Sequence, residues 1–119
     1  MSERNADDSV DVRERAWAGV LDQLVSDGSK RMAGLLPLAE ACSRRPRLRR
    51  LYPYTAVDRL CLSRTSTLPF DDVARAFAVA DGRFRVMRGG RPEREPDSVL
   101  GEGTAEEAAS LAEDNLADD

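Results

Sequence analysis

The feature that most constrains the fold is the dipeptide Asp81-Gly82, which lies between two runs of β-prone residues. A two-residue type I′ turn needs a positive φ angle at both central residues, and Asp-Gly is one of the pairs that adopts it most readily. Large apolar residues alternate with other residues in the flanking runs, 76–80 and 83–88. The pattern predicts an antiparallel hairpin, so the chain must build a sheet.

Two helices are predicted before this hairpin. Apolar residues at helical spacing predict the first from about Ser9 to Asp27. The second is predicted over about Ser29 to Arg44, with a kink or a new start at Pro37, because proline has no N–H to donate. A strand is predicted over 57–63, where Leu60 and Leu62 alternate with more polar neighbours.

After the hairpin, the sequence predicts a polar loop over 89–97, a short strand over 98–101 and a final helix from Ala105 to about Leu116. Thr104 and Glu107 have the spacing of a capping box at the start of that helix. The order α-α-β-β-β-(β)-α is typical of an α+β domain. We therefore expect an antiparallel sheet of three to four strands with helices on one face.

A chain of 119 residues has room for one hydrophobic core. We expect a flexible N-terminus over 1–8, a single α+β domain over 9–111 and an acidic, mobile tail over 112–119. No apolar run approaches the roughly 18 residues that a membrane helix needs, and the first residues lead into acidic rather than apolar sequence. These features predict a cytoplasmic protein that does not enter a membrane.

The composition excludes several kinds of chemistry. The chain has no histidine and only two cysteines, which argues against His-based catalysis and structural zinc sites. No P-loop motif is present. We therefore expect neither a metal nor a cofactor, and any catalysis would be acid–base work by carboxylates, tyrosines, lysine or thiols. Cys61 lies in the middle of a predicted strand and is expected in the core rather than as a nucleophile.

Charge is distributed in blocks. Residues 29–64 carry nine basic and two acidic side chains, whereas 102–119 carry seven acids and no base. Five arginines lie within 44–50. This arginine run has three interpretations: a solvated connection that pairs with the acidic ends, a binding surface for an acidic peptide, or a nucleic-acid site. The last is the least favoured, since the net charge is −4 and only 5% of residues are aromatic.

Two further segments contain candidate functional residues. Tyr52, Tyr54 and Thr55 could orient a peptide substrate, or they could simply begin a strand with partly buried rings. Glu102 lies between two glycines, where a ligand could approach the backbone closely. Its carboxyl group could act as an acid or base, or it could only favour the dipole of the helix that follows.

The runs 47–55, Arg-Leu-Arg-Arg-Leu-Tyr-Pro-Tyr-Thr, and 60–65, Leu-Cys-Leu-Ser-Arg-Thr, carry a family resemblance. Together with Gly-Thr-Ala-Glu-Glu-Ala at 103–108, they resemble a group of small actinobacterial proteins found beside natural-product biosynthesis genes. Within that group the sequence is most similar to the branch that forms the terminal amide of thiopeptide antibiotics such as nosiheptide.

The resemblance implies an activity, enamide dealkylation of a C-terminal dehydroalanine, which leaves a primary carboxamide on a modified precursor peptide. It also implies that Glu102 is the catalytic residue. The substrate-binding residues that we expect are Tyr52, Tyr54, Thr55, Arg64, Arg49 and Arg50.

The alternative is a non-catalytic module that binds an acidic leader peptide or a partner biosynthetic enzyme through its basic segment. In either case we expect self-association, because a small sheet covered by helices on one side leaves its other side exposed.

Overall fold

A computed structural model of the chain describes residues 2–26, 34–56, 58–66, 70–80, 82–89 and 98–117, with side chains from residue 12 to residue 116 of these ranges. Three helices come first: α1 (Ser2–Ser26), α2 (Leu36–Ser43) and α3 (Pro46–Arg49). Five strands follow, and a last helix ends the described chain: β1 (Tyr52–Ala56), β2 (Arg59–Ser63), β3 (Asp72–Ala80), β4 (Arg83–Arg88), β5 (Val99–Gly103) and α4 (Ala105–Ala117).

The strands form one antiparallel sheet in the order β1-β2-β3-β4-β5, so every strand pairs with its neighbours in the sequence. The α+β class and the predicted hairpin are confirmed: Ala80 pairs with Arg83, and Gly82 has a φ of 72°. The sheet has five strands, which exceeds the expected three to four, because residues 52–56 form β1 instead of a lead-in to the first strand. Pro53 is tolerated there because β1 is an edge strand.

One face of the sheet is covered by helices. Its side chains alternate along the strands and are buried: Leu60, Leu62, Ala74, Ala76, Phe84 and Val86. Helix α1 packs against β1, and α4 packs against β3, β4 and β5. The Trp17 ring of α1 is fully buried, and its Nε1–H donates to the carbonyl oxygens of Arg49 (3.0 Å) and Leu51 (3.1 Å). These bonds tie α1 to the chain that enters β1.

The early helices differ from the prediction in their boundaries. Helix α1 begins at Ser2 instead of Ser9, and Val25, predicted on its apolar stripe, is 68% exposed. Helix α2 begins at Leu36 with Pro37 in its first turn, so the proline marks a start and not a kink. Residues 29–33 of the predicted second helix and most of the predicted polar loop lie outside the described residues.

The last helix begins with the predicted capping box. The backbone N–H of Thr104 donates to Glu107 Oε1 at 2.9 Å, and the N–H of Glu107 donates to Thr104 Oγ1 at 3.3 Å. Residues 112–117 of the expected tail belong to this helix, in line with its predicted end near Leu116. Ala112 and Asn115 are buried, and Asn115 Nδ2 donates to the carbonyl oxygen of Val73 in β3 at 2.9 Å. The end of α4 is therefore part of the domain.

Candidate functional site

The predicted tyrosine segment lies on β1, and its side chains go to opposite faces of the sheet. Thr55 is on the helix-covered face, where its Oγ1 lies 3.3 Å from Gln23 Oε1 of α1. Tyr54 is on the other face, opposite Cys61 of β2. Half-buried Tyr52 shares that face with Tyr54, since alternate residues of a strand point the same way. Thr55 therefore has a structural contact with α1, whereas the two tyrosines lie on the face opposite the helices, where a ligand could contact them.

Tyr54 is held by two contacts that the sequence did not reveal. Its hydroxyl donates to the carboxylate of Asp72 in β3, with distances of 2.7 and 2.9 Å to the two oxygens. Its ring stacks on Phe70 at a centroid distance of 4.1 Å and an interplanar angle of 19°. Burial, together with the hydrogen bond to Asp72, raises the pKa of Tyr54. The phenol therefore stays protonated and serves as a fixed donor to Asp72.

Cys61 lies beside this pair and is buried, as the sequence predicted. Burial, with the nearby Asp72 carboxylate as a second cause, raises the pKa of the Cys61 thiol to about 11. A thiol with that pKa is almost entirely protonated at neutral pH and is a poor nucleophile.

A charged cavity of about 160 Å³ lies next to Asp72, where β2 ends, β3 begins and β4 ends. Its wall consists of Arg64, Asp71, Asp72, Val73, Arg88, Gly89 and Asn115. Arg64 was predicted as a substrate-binding residue, whereas its neighbours in the wall were not singled out. Asp72 belongs both to the cavity wall and to the contact with Tyr54, so two of the predicted substrate-binding residues converge on this place.

The loop that carries Arg64 and Asp71 is fixed at its base by a buried serine. Ser63 Oγ accepts hydrogen bonds from the backbone N–H groups of Thr65 (3.0 Å) and Asp71 (3.1 Å). The N–H of Arg64 also donates to the Asp71 carbonyl oxygen at 2.9 Å. The Arg64 and Asp71 side chains then meet at 3.4 Å, in a long and solvent-exposed ion pair. Their backbones are thus held firmly while their charged ends can rearrange.

The opposite wall of the cavity requires a glycine. The N–H of Gly89 donates to the carbonyl oxygen of Val73 at 3.0 Å. A Cβ atom at this position would overlap the backbone carbonyl of Asp72. Only glycine lets the two strands approach so closely and still leaves the cavity beside them.

Glu102 lies within β5, instead of at the predicted junction of strand and helix. Arg85 of β4 is its partner in register, and the Arg85 Nε donates to Glu102 Oε2 at 2.6 Å. The ion pair is partly open to solvent, with 41% of the Arg85 and 36% of the Glu102 side chain exposed. β1 and β5 are the two edges of the sheet, so four strand spacings, about 19 Å, separate Glu102 from Tyr54. The fold does not bring these two candidates together.

Glu102 and Arg85 belong to a row of side chains on the face of the sheet opposite the helix-covered face. Arg59 of β2, Phe77 of β3, Arg85 and Glu102 are successive partners in register. The Arg59 guanidinium lies 4.4 Å from the Phe77 ring centroid, and the Arg85 guanidinium lies 5.9 Å from it. We call the side of the sheet that bears this row and Tyr54 the open face.

The arginine run is largely engaged within the chain. Arg44 pairs with Glu106 at 2.6 Å and Arg45 with Glu113 at 2.9 Å, both in α4. Arg49 donates to both carboxylate oxygens of Glu14 in α1, at 2.9 and 3.2 Å. The same hydrogen bonds lower the pKa of Glu14. Of the three interpretations of this run, the structure therefore supports pairing with the acidic ends.

Arg49 and Arg50, both predicted to bind substrate, lie where α3 leads into β1. The Arg49 guanidinium also lies 5.7 Å from the ring centroid of Trp17. Arg50 is exposed, and its carbonyl oxygen accepts a hydrogen bond of 3.4 Å from the Arg13 guanidinium. The contacts of Arg49 with Glu14 and Trp17 connect it to α1, which is a structural role. None of the contacts of Arg49 or Arg50 described here is with Tyr54 or Glu102.

No cluster of three or more Cys, Asp or Glu side chains in the described ranges is arranged to hold a metal ion. Among the described helices, none has the length and apolar character needed to span a membrane.

Comparison with known proteins identifies the family. Residues 11–119 match a family of unknown function, DUF6193, and the chain belongs to that family. No match was found among curated proteins or among solved structures. The match spans α2 to α4, most of α1 and all the candidate residues, so the open face and the charged cavity lie within the family domain.

Proposed function

We propose that this protein binds a modified precursor peptide on the open face of its sheet. The observation that carries the proposal is the concentration of exposed apolar side chains on that face. Phe70 (37%), Val79 (40%) and Val99 (41%) are among the few large apolar residues exposed in the described chain. Phe70 stacks on Tyr54, Val99 pairs with Met87, and Val79 lies at the register shift near the end of β3. Exposed apolar groups gathered on one surface usually mark a binding site.

The row Arg59, Phe77, Arg85 and Glu102 adds polar contacts to this apolar surface. Guanidinium groups that already stack on an aromatic ring can donate hydrogen bonds to a carboxylate with little further loss of side-chain entropy. A peptide with both acidic and apolar side chains would find partners for each along the row. Arg85 is itself paired with Glu102 and Arg59 with Asp58, so a peptide carboxylate on this face would replace an existing partner, as it would on the arginine run.

A titration followed by NMR tests this proposal. The probe is a synthetic acidic peptide that ends in two dehydroalanines, and its control has the acids replaced by their amides. We expect shifts of backbone signals in β3 and β4, and binding that weakens at least tenfold in Arg85→Ala and with the amide control. Arg47→Ala, which changes an exposed arginine of the run, should bind as the unchanged protein does.

Two outcomes would contradict the proposal. One is a titration in which the shifts map to α3 and not to the sheet. The other is light scattering that shows a dimer whose contact is abolished by Phe77→Ala, since the open face would then be covered by a second copy. Self-association through another surface leaves the open face available and is compatible with the proposal.

Enamide dealkylation is the second candidate function, and one observation favours it: Glu102 is a solvent-accessible carboxyl at the rim of the open face, beside an arginine. The Arg85 guanidinium engages the Glu102 carboxylate, so in this arrangement Glu102 is not available to a substrate. A substrate carboxylate that replaced Glu102 as the partner of Arg85 would free the Glu102 carboxyl group. Glu102 could then take up a proton and donate it to the β-carbon of the terminal dehydroalanine.

The reaction would then proceed by hydration. Protonation of the β-carbon leaves a cation at the α-carbon, and Glu102 as a base directs water to that carbon. The carbinolamide formed collapses, breaking the C–N bond, to a primary amide and pyruvate. One water is consumed, and no oxidant or reductant is needed.

Glu102→Gln tests the enzymatic role, because it preserves shape and removes proton transfer. We expect pyruvate release from a peptide ending in two dehydroalanines to fall about 10²-fold or more. Glu106→Gln, at an exposed position of α4, is the matched control and should keep full turnover. If the unchanged protein releases no pyruvate, or if Glu102→Gln is fully active, this role for Glu102 is wrong, and binding to the open face is tested separately as described above.

A further inference from the structure

The two edges of the sheet differ in the backbone groups that they present. In an antiparallel sheet, each strand residue bonds to one neighbouring strand, and the next residue bonds to the strand on the other side. The N–H of Gly89 donates to the carbonyl oxygen of Val73, so this pair is one of the hydrogen-bonded pairs between β3 and β4. Arg85, four residues earlier in the same register, also bonds to β3, and the residues beside it, Phe84 and Val86, therefore bond to β5.

Glu102 directs its backbone away from the sheet. The partners of Phe84 and Val86 in β5 are Gly103 and Gly101, so these two glycines bond to β4. Glu102 lies between them and points its own N–H and C=O toward the outer edge. The residue is exposed, and within the described ranges neither of these two backbone groups has a hydrogen-bond partner. An edge of this kind can accept a further strand.

The opposite edge does not offer the same ladder. The alternation, carried from β3 through β2, points Pro53 and Thr55 of β1 outward. Pro53 has no N–H, so an added strand would lose a hydrogen bond at that position. The N–H of Thr55 still points outward, which makes it a matched reference for the N–H of Glu102. Strand addition is therefore expected at β5.

The part of β5 that is open to pairing is short. Leu100 has no partner in the register, because a shift separates the pairs on either side of it, and such a bulge interrupts a ladder. Beyond Glu102, the Thr104 N–H donates to the capping box, and the Thr104 carbonyl oxygen accepts from the first turn of α4. A short segment of extended chain fits between these limits, and the end of a peptide is such a segment.

The side chains beside this edge favour a peptide over a second copy of the protein. A second copy paired through its own Glu102 would set two carboxylates directly opposite each other, which is destabilising. A peptide residue paired with Glu102 instead places its side chain on the open face, next to the ion pair that Glu102 forms with Arg85. Exposed Val99 lies on the same face, as the partner of Met87, and adds an apolar contact.

We propose that the end of an extended peptide adds to the sheet as a short strand beside β5, where it exchanges two backbone hydrogen bonds with Glu102. This arrangement rests on the proposed binding of a modified precursor peptide and specifies where the main chain of that peptide lies. A peptide N–H donates to the Glu102 carbonyl oxygen, and the Glu102 N–H donates to a peptide carbonyl oxygen. Proline cannot occupy the donating position, because it has no N–H.

Hydrogen exchange of the full chain, followed by NMR, tests this arrangement. The probe is the acidic peptide that ends in two dehydroalanines. The Glu102 N–H should exchange quickly in the free protein, and a saturating concentration of the peptide should slow that exchange at least tenfold, while exchange at Thr55 stays the same. A Glu102 N–H that exchanges slowly in the free protein, or that the bound peptide does not protect, would overturn the proposal. Equal slowing at Thr55 would reflect stabilisation of the whole domain and would overturn it too.

A series of N-methylated peptides locates the pairing amide. Each member carries one N-methyl group, on a different amide among the last residues. Methylation of the amide that donates to Glu102 should weaken binding at least tenfold, whereas methylation of the adjacent amides, whose N–H groups point away, should change it little. If every member binds as the parent peptide does, while Arg85→Ala still weakens binding, the peptide lies on the open face without pairing to β5, and only the strand addition is wrong. If the parent peptide itself does not bind, the proposed function fails as well.

Discussion

The two faces of the sheet use the same kinds of residue in opposite ways. On the helix-covered face, Phe84 is 1% exposed and packs with Val86, Leu60 and helical side chains. On the open face, Phe77 of the same hairpin keeps contact with solvent and lies beneath the guanidinium of Arg59. The comparison shows that Phe84 stabilises the domain by burial in the core, whereas Phe77 holds the arginine side chains of the open face. Period-two alternation along β3 and β4 is the cause of this difference.

The largest expected effect comes from truncating these two aromatic residues. Phe84→Ala removes a fully buried ring and should lower the free energy of unfolding by about 3–5 kcal/mol. Phe77→Ala should lower it by about 1 kcal/mol, because part of that ring is in water already. Urea denaturation followed by circular dichroism measures both values. Similar losses for the two variants would mean that the open face is covered in solution. That result would contradict the difference between the two faces.

A smaller effect is expected at the end of the covering helix. Asn115→Ala removes one of the two donors to the buried carbonyl of Val73, which keeps the N–H of Gly89, and should lower the free energy of unfolding by about 1 kcal/mol. Asp114→Ala, one residue earlier and exposed, should change it little. Thermal melts of the two variants test this prediction. An Asn115→Ala variant as stable as the unchanged protein would show that the end of α4 adds little to the stability of the domain.

The smallest effect concerns the capping box that begins α4. Hydrogen bonds from Thr104 lower the pKa of Glu107. A carboxyl whose pKa is lower in the folded state stabilises that state above its unfolded pKa, and the stabilisation is lost as pH falls through the folded pKa. The melting temperature of Glu107→Gln should therefore lie slightly below that of the unchanged protein at pH 7, and the two should converge near pH 3. A difference that grew on acidification would have the wrong sign.

The elements that could be predicted from the sequence are those with local signals. Asp81-Gly82 defined its hairpin, and Thr104 with Glu107 defined the start of α4 because both partners lie within one turn. The internal pairing of the arginine run was one of three interpretations, since charge blocks indicate attraction but not which carboxylates meet.

The candidate site was much harder to predict, because its contacts join distant parts of the chain. Tyr54 meets Asp72 across β2, and Glu102 meets Arg85 only through the register of β4 and β5. Register shifts interrupt three of the four strand pairings, and a shift of one residue exchanges the faces on which side chains lie. Arg64 was singled out from the sequence, but Arg88 at the end of β4 and Gly89 just after it also line its cavity, and no local signal marks either as a site residue.

The order of strands in the sheet has a consequence for how the chain folds. Every strand pairs with the next one along the chain, so the sheet can grow by adding adjacent hairpins, without the long loop closures that slow the folding of crossover sheets. Two of these connections, between β1 and β2 and between β3 and β4, are only two residues long, and the second carries the Asp-Gly turn signal. Nucleation at that turn would place Phe77 and Phe84 on their separate sides before either helix layer assembles.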